Sequence, residues 1–302
     1  MSRRSRLFAA VATASLAFGA VEAPQASASD SASGSAAAVC SVGVGSISSM
    51  YLSGWSLLAT VPPTRTFGVE VNDPFPQTAR LSGPISSSRN GEGNYDVFGL
   101  VVLGDVLYSN YSIVHDDGVI LAQALQRIGG GWSSYIALDT STYSSRTASR
   151  LSYLYGLRRD GVLFRWNART WGQKTSYPGF SAVKSMALIS STATYDTFLA
   201  TTRGGALYTI HIPVTSPMKP VVKLVRRSTW QGFEALLARK CGIYGTLLLG
   251  IDKDTQSGYL YAVGHANGTS TVIQSRGKVP WPLGGSAYAR WSSGPESPPF
   301  GE

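Results

Sequence analysis

One pattern recurs along this 302-residue chain: an aliphatic run, a tight turn, then Gly-x-Leu-Tyr or a close variant. The copies are FGLVVLGDVLYSNYSI from Phe98, LYGLRRDGVLFRWNA from Leu154, TFLATTRGGALYTIHIP from Thr197 and LLLGIDKDTQSGYLYAVGHANG from Leu247. Aligned on Tyr108, Phe164, Tyr208 and Tyr261, they step by 56, 44 and 53 residues. Periods of this length built of strand and turn point to propeller blades rather than helical solenoids. The expected fold is therefore all-β, a propeller of five blades with three or four antiparallel strands each.

The first strong copy shows the reading. Phe98 to Leu103 is an aliphatic strand, Gly104-Asp105 a tight turn, and Val106 to Val114 a second strand with Leu107, Ser109, Tyr111 and Ile113 on one face. Asp117-Gly118 is a second hairpin turn, and Val119 to Leu125 a third strand. Gly129-Gly130-Gly131-Trp132 then leads into Tyr135 to Leu138, a strand of the next unit. Tyr153 to Leu157 and Val162 to Trp166 repeat the logic. The stretch before Phe98 holds two irregular strands, Tyr51 to Ala59 and Phe67 to Val71, read as the fifth blade. Leu236 to Lys240 is too short to assign to a helix.

The ends read differently. Arg3, Arg4 and Arg6 precede an apolar, Ala-rich run from Leu7 to Ala20 and a small-x-small site at Ala26-Ser27-Ala28. This is the form of a secretion signal over residues 1–28, too short to remain as a membrane span. A twin-arginine signal is the second reading of the same residues. Residues 29–39 read as a Ser/Ala-rich flexible lead-in, 40–292 as the propeller, and 293–302 as a loose tail. The expected location is secreted and extracellular, with no transmembrane segment in the mature chain. An exported chain with an even pair of cysteines implies a disulfide, here Cys40 to Cys241, joining the start of the folded region to a late repeat.

Charged residues make up only 14% of the chain, which argues against long solvated helices. The leader contributes three arginines and one glutamate to the full balance of +9, so the expected mature balance is +7. That sign favours anionic partners. The basic residues are dispersed, however, with no run longer than Arg158-Arg159 or Arg226-Arg227, so nucleic acid is not expected.

The blades resemble those of tachylectin-like five-bladed β-propeller lectins. Leu107-Tyr108, Asp117-Gly118 and Ile128-Gly129-Gly130-Gly131-Trp132 fall in that family's order. The resemblance implies shallow sites for N-acetylated sugars such as GlcNAc, or for cell-wall polysaccharide. Asp117, Gly131, Trp132 and Tyr135 are the leading site residues, with Trp171, Trp230 and Trp281 as further copies. An aromatic face stacks on the apolar face of a pyranose while polar groups bond its hydroxyl and acetamido groups. Packing between blades is the competing role for every one of these tryptophans.

No catalytic, phosphate-loop or metal-spaced motif is present. His115, His211 and His265 fit structural roles. The pairs Asp116-Asp117 and Asp252/Asp254 fit turn chemistry better than Ca2+ binding or sugar hydrolysis. The expectation is a non-catalytic lectin without cofactor or metal. The alternative is a protein-interaction or targeting subunit of a secreted assembly, such as an antibacterial toxin particle.

Overall fold

The computed structural model describes residues 40–145 and 149–294. The expected signal and lead-in lie outside the described residues, as does all of the expected tail beyond Gly294. The described chain holds twenty strands, two short 3-10 turns and no α-helix. No helix among the described residues is long and apolar enough to cross a membrane.

The strands sort into antiparallel groups of four. β4 (Ala79–Arg89), β5 (Tyr95–Leu103), β6 (Val106–Val114) and β7 (Ile120–Gly129) form one meander. β8 (Tyr135–Ser141), β9 (Tyr153–Arg158), β10 (Leu163–Asn167) and β11 (Thr175–Tyr177) form the next. β12 (Val183–Ser191), β13 (Tyr195–Thr202), β14 (Leu207–Pro213) and β15 (Val221–Arg226) form the third. β16 (Ala235–Cys241), β17 (Gly245–Asp252), β18 (Ser257–Val263) and β19 (Ile273–Lys278) form the fourth.

The remaining group mixes the two ends of the chain. β1 (Ser41–Ile47), β2 (Tyr51–Leu58) and β3 (Thr64–Asn72) come from the start, and β20 (Ala287–Ser293) pairs antiparallel with β1 from the end. β20 also touches β4 in a short parallel contact, Trp291 to Ser293 against Ile85 to Ser87. The first strand of each group touches the next in a closed circuit: β4 with β8, β8 with β12, β12 with β16, β16 with β20, and β20 with β4.

The core follows this circuit. Apolar side chains gather in clusters between consecutive groups, not in one centre. Each middle strand therefore faces a neighbour on both sides. In β17, Leu247, Leu249 and Ile251 pack toward the β1–β3 side while Leu248 packs toward the β12–β15 side. Burial on both faces explains why these strands read as continuous aliphatic runs, not as alternating ones.

Polar residues tie the inner strands. Arg290 in β20 donates to Asp139 Oδ1 in β8 at 2.8 Å and to the Thr140 carbonyl at 2.8 Å, while Leu188 N in β12 donates to Asp139 Oδ2 at 3.0 Å. Both side chains of this ion pair are buried. The expected disulfide is formed, joining Cys40 beside β1 to Cys241 at the end of β16, 201 residues apart.

Two local features complete the picture. The stretch 236–240 is the body of strand β16, because its apolar residues fill the gaps on both sides. In β6 the face that carries Leu107, Ser109, Tyr111 and Ile113 is mixed: Leu107 is buried, but Tyr111 is exposed. Asn110 and Ser112 are buried on the other face, where Gln123 Nε2 reaches Asn110 Oδ1 at 3.1 Å, Ser112 Oγ at 3.2 Å and the Pro74 carbonyl at 2.8 Å. Hydrogen bonding lets a polar face turn inward here.

Candidate functional site

The link from β7 into β8 builds one wall of an aromatic cleft. Gly131 has φ 85°, a left-handed conformation open to glycine, and starts a 3-10 turn over Trp132–Ser134. Asp105, in the β5–β6 turn, holds that turn in place. Its Oδ2 accepts from Gly131 N and its Oδ1 from Ser133 N, both at 2.8 Å, and its carbonyl accepts from Trp132 N at 2.9 Å. Hydrogen bonds from the Ser133 side chain and amide, then from the Gly131 amide, pull the Asp105 carboxyl down to about 2. From the other side, Arg80 Nη2 donates to the Trp132 and Tyr135 carbonyls at 2.8 and 2.9 Å.

The cleft, about 390 Å³, lies between the β4–β7 and β8–β11 groups and is lined by Trp132, Tyr135, Trp166, Trp171, Arg158 and Lys174. Trp132 and Tyr135 have ring centroids 4.4 Å apart, and Trp132 lies 5.6 Å from Trp166. Trp166 stacks on Phe164 at 5.5 Å. The Tyr135 ring passes so close to Gly156 of β9 that a Cβ there would sit 2.9 Å from it. Trp132 and Tyr135 are each 7% exposed, so they form the floor; Trp166 and Trp171, also in the lining, are half-buried. Trp171 stands on a β10–β11 turn with φ 59°, its amide bonded to the Asn167 carbonyl at 2.8 Å.

The expected residues thus divide. Gly131, Trp132, Tyr135 and Trp171 come together. Asp117 does not line this cleft. It lies beyond the far end of β6 from Asp105, and nine residues of strand span roughly 30 Å. There it accepts from Val119 N at 3.1 Å and contacts His115 Nδ1 at 2.9 Å, which lowers its pKa through the His115 bond. The carboxylate that serves the Trp132 turn is Asp105. Trp166 is the other residue missed; its place two residues after Phe164 on the same strand face was the available signal.

Trp230 rebuilds much of the same framework. Its amide bonds to the Gly205 carbonyl at 3.0 Å, and its ring lies 4.9 Å from Tyr261 and 5.6 Å from Phe233. Phe233 covers Gly250 as Tyr135 covers Gly156. Gly156 pairs with Phe164 and Gly250 with Tyr259, so the counterpart of Phe164 is Tyr259, and Tyr261 corresponds to Trp166. The sequence alignment that placed Tyr261 opposite Phe164 is off by two residues, because the Leu-Tyr pair of β18 falls two residues beyond the partner of Gly250, whereas Phe164 is itself the partner of Gly156. Trp230 itself is 5% exposed and packs in the core.

Trp281 lies in a separate recess of about 260 Å³ with Trp55, Arg65, Phe67 and Glu70. It meets Trp55 edge-on at 5.9 Å, with the Arg65 guanidinium 5.0 Å from its centroid.

The other polar groups have local partners. Asp116 pairs with Arg89 at 3.1 Å. His211 stacks on Tyr195 at 4.2 Å and bonds Thr197, and His265 meets Tyr244 edge-on at 5.9 Å. Glu234, Asp252 and Asp254 lie within 4.8 Å of one another. Glu234 is ion-paired with Lys184 and accepts from Lys253 N at 2.8 Å, and Asp252 accepts from Thr255 N at 2.9 Å.

No protein-family model matches the chain, and no curated protein matches it. Among solved structures it is similar to the BP39L lectin from Burkholderia pseudomallei, with 14% identity and a TM-score of 0.38, over 79% of this chain and 70% of that one.

Proposed function

We propose that this chain is a secreted five-bladed β-propeller that binds carbohydrate, without catalysis, in the cleft walled by Trp166 and Trp171. The closed circuit of four-stranded groups supports the propeller reading, with β20 and β1–β3 as the shared blade. The observation that carries the functional reading is the cleft itself. Two half-buried indoles stand over a rigid aromatic floor, beside exposed Gly130 and Gly131 backbone. Such a site fits the apolar face of a pyranose, with backbone and cationic groups left to bond its substituents. N-acetylated sugars are the ligand class implied by the resemblance of residues 98–138 to tachylectin-like blades.

A single shallow site of this kind is weak. The Trp230 framework and the Trp281 recess lie on other parts of the same circuit, so a polymeric glycan engaging more than one gains by avidity. A glycan array tests the reading. The mature chain binds a subset of glycans, and Trp171→Ala, at a half-buried position, loses that binding while keeping its fold. Failure of the folded chain to bind any glycan refutes it.

A further inference from the structure

The Trp132 and Trp230 frameworks share their aromatic residues but not their charge, and that difference selects a ligand. Arg158 lies two residues past Gly156, and Asp252 lies two past Gly250. Lys174 lies one residue beyond the Arg165–Thr175 pair, opposite Trp166, whereas Tyr261 faces Ser275. Where one framework carries two cations, its counterpart carries a carboxylate and a hydroxyl. Five residues past Trp166 stands Trp171; five past Tyr261 stands Ala266.

The cations of the cleft are held in place and still have bonding capacity. The Lys174 ammonium sits 4.6 Å from the Phe164 centroid and 5.9 Å from that of Trp166, a cation–π position that fixes it above the aromatic floor. Lys174 is exposed and has no carboxylate partner among the described residues. Asp160 takes the Nε and Nη2 edge of Arg158, leaving Nη1 without a bond among the described residues. Exposed Arg127 and Arg159 flank the same loop, and the Arg159 amide bonds the Ser134 carbonyl at 2.8 Å. The nearby carboxylates are already engaged: both Asp105 oxygens by loop amides, and Asp160 by Arg158. No carboxylate lines the cleft.

We infer that this cleft prefers a sugar carrying an anionic substituent, a carboxylate or a sulfate, over its neutral parent. The sugar ring lies against Trp166 and Trp171, and the anion meets Lys174 Nζ and Arg158 Nη1. The inference rests on the carbohydrate-binding reading and adds its selectivity. The Trp230 framework, with Asp252 in place of Arg158, has no such preference.

Titration calorimetry of the mature chain with three probes tests this: N-acetylglucosamine, its 6-sulfate, and N-acetylmuramic acid, which adds a carboxylate. One exposed charge contact strengthens binding by up to about fivefold. The expected result is a preference of that order for at least one anionic probe at low salt, shrinking at 0.5 M salt as screening shortens the range of the field. Lys174→Gln removes most of the preference, lowering affinity for the anionic probe more than for the neutral one. A response to only one anionic probe supports the inference and identifies the anion. Equal affinity for all three overturns the inference and leaves the sugar reading standing. Equal loss of neutral and anionic binding in Lys174→Gln also overturns it, since the lysine would then act by packing. No binding of any probe by the folded chain overturns both.

Discussion

The disulfide from Cys40 to Cys241 closes a loop of 201 residues across the junction of the chain ends. In the chain-entropy model a loop of that length restricts the unfolded chain by up to about 5 kcal/mol, and removing a native disulfide typically costs about 2–5 kcal/mol. The bond does not act alone. β20 pairs with β1 from Val44 to Ile47, and the cluster around Val42, Leu57, Leu249 and Tyr288 packs the same junction. The double variant Cys40→Ala/Cys241→Ala should therefore fold, with stability reduced by about 2–5 kcal/mol. Unfolding roughly 250 residues at about 2.1 cal/mol/K each gives an entropy near 0.5 kcal/mol/K, so Tm should fall by about 4–10 °C. Guanidinium unfolding of both forms, followed by circular dichroism, measures the difference. The denaturant slope should rise in the variant, because an untethered unfolded chain exposes more surface. A change below about 0.5 kcal/mol with an unchanged slope would refute the entropic reasoning. A variant that fails to fold would show that β20–β1 pairing cannot close the circuit without the bond.

Three further outcomes follow from the structure. The folded pKa of Asp105 is about 2 against an ordinary value of 3.8, so its contribution is complete above pH 3.8 and lost as pH falls through 2; tryptophan fluorescence from the Trp132 turn should change in that window, and not in Asp105→Asn. Arg290→Met strands the buried Asp139 carboxylate and should cost about 3–5 kcal/mol, read from the urea midpoint, whereas a loss under 1 kcal/mol would show that the Leu188 amide suffices. Asp117→Ala should leave sugar affinity unchanged, since the residue lies at the far end of β6; a tenfold loss by calorimetry would contradict that placement.

The sequence was most legible where short-range chemistry decides the outcome. The β5–β6 hairpin follows from Gly104-Asp105 and the β6–β7 turn from Asp117-Gly118, and the second strand has its expected bounds, Val106 to Val114. The cysteine pair was legible because two cysteines allow only one pairing. Contacts between distant segments were not. β20 has little aliphatic character, and its partners lie some 200 or more residues back, so nothing local marks it as the strand that joins the ends. Leu236 to Lys240 contains good helix formers, but clusters on both sides hold it extended. At the cleft, the grouping of Trp132 and Tyr135 after the Gly-Gly-Gly turn was legible. The choice of Asp105 over Asp117 was not, because it depends on which turns share one end of the strands.

The most direct measurement is a crystal structure of the mature chain soaked with an N-acetylated oligosaccharide. The sugar should lie between Trp166 and Trp171, with one ring face on an indole and its polar groups toward Lys174 and the Gly130-Gly131 backbone. An empty cleft at saturating sugar, or sugar ordered only elsewhere, would contradict the assignment of this cleft as the binding site.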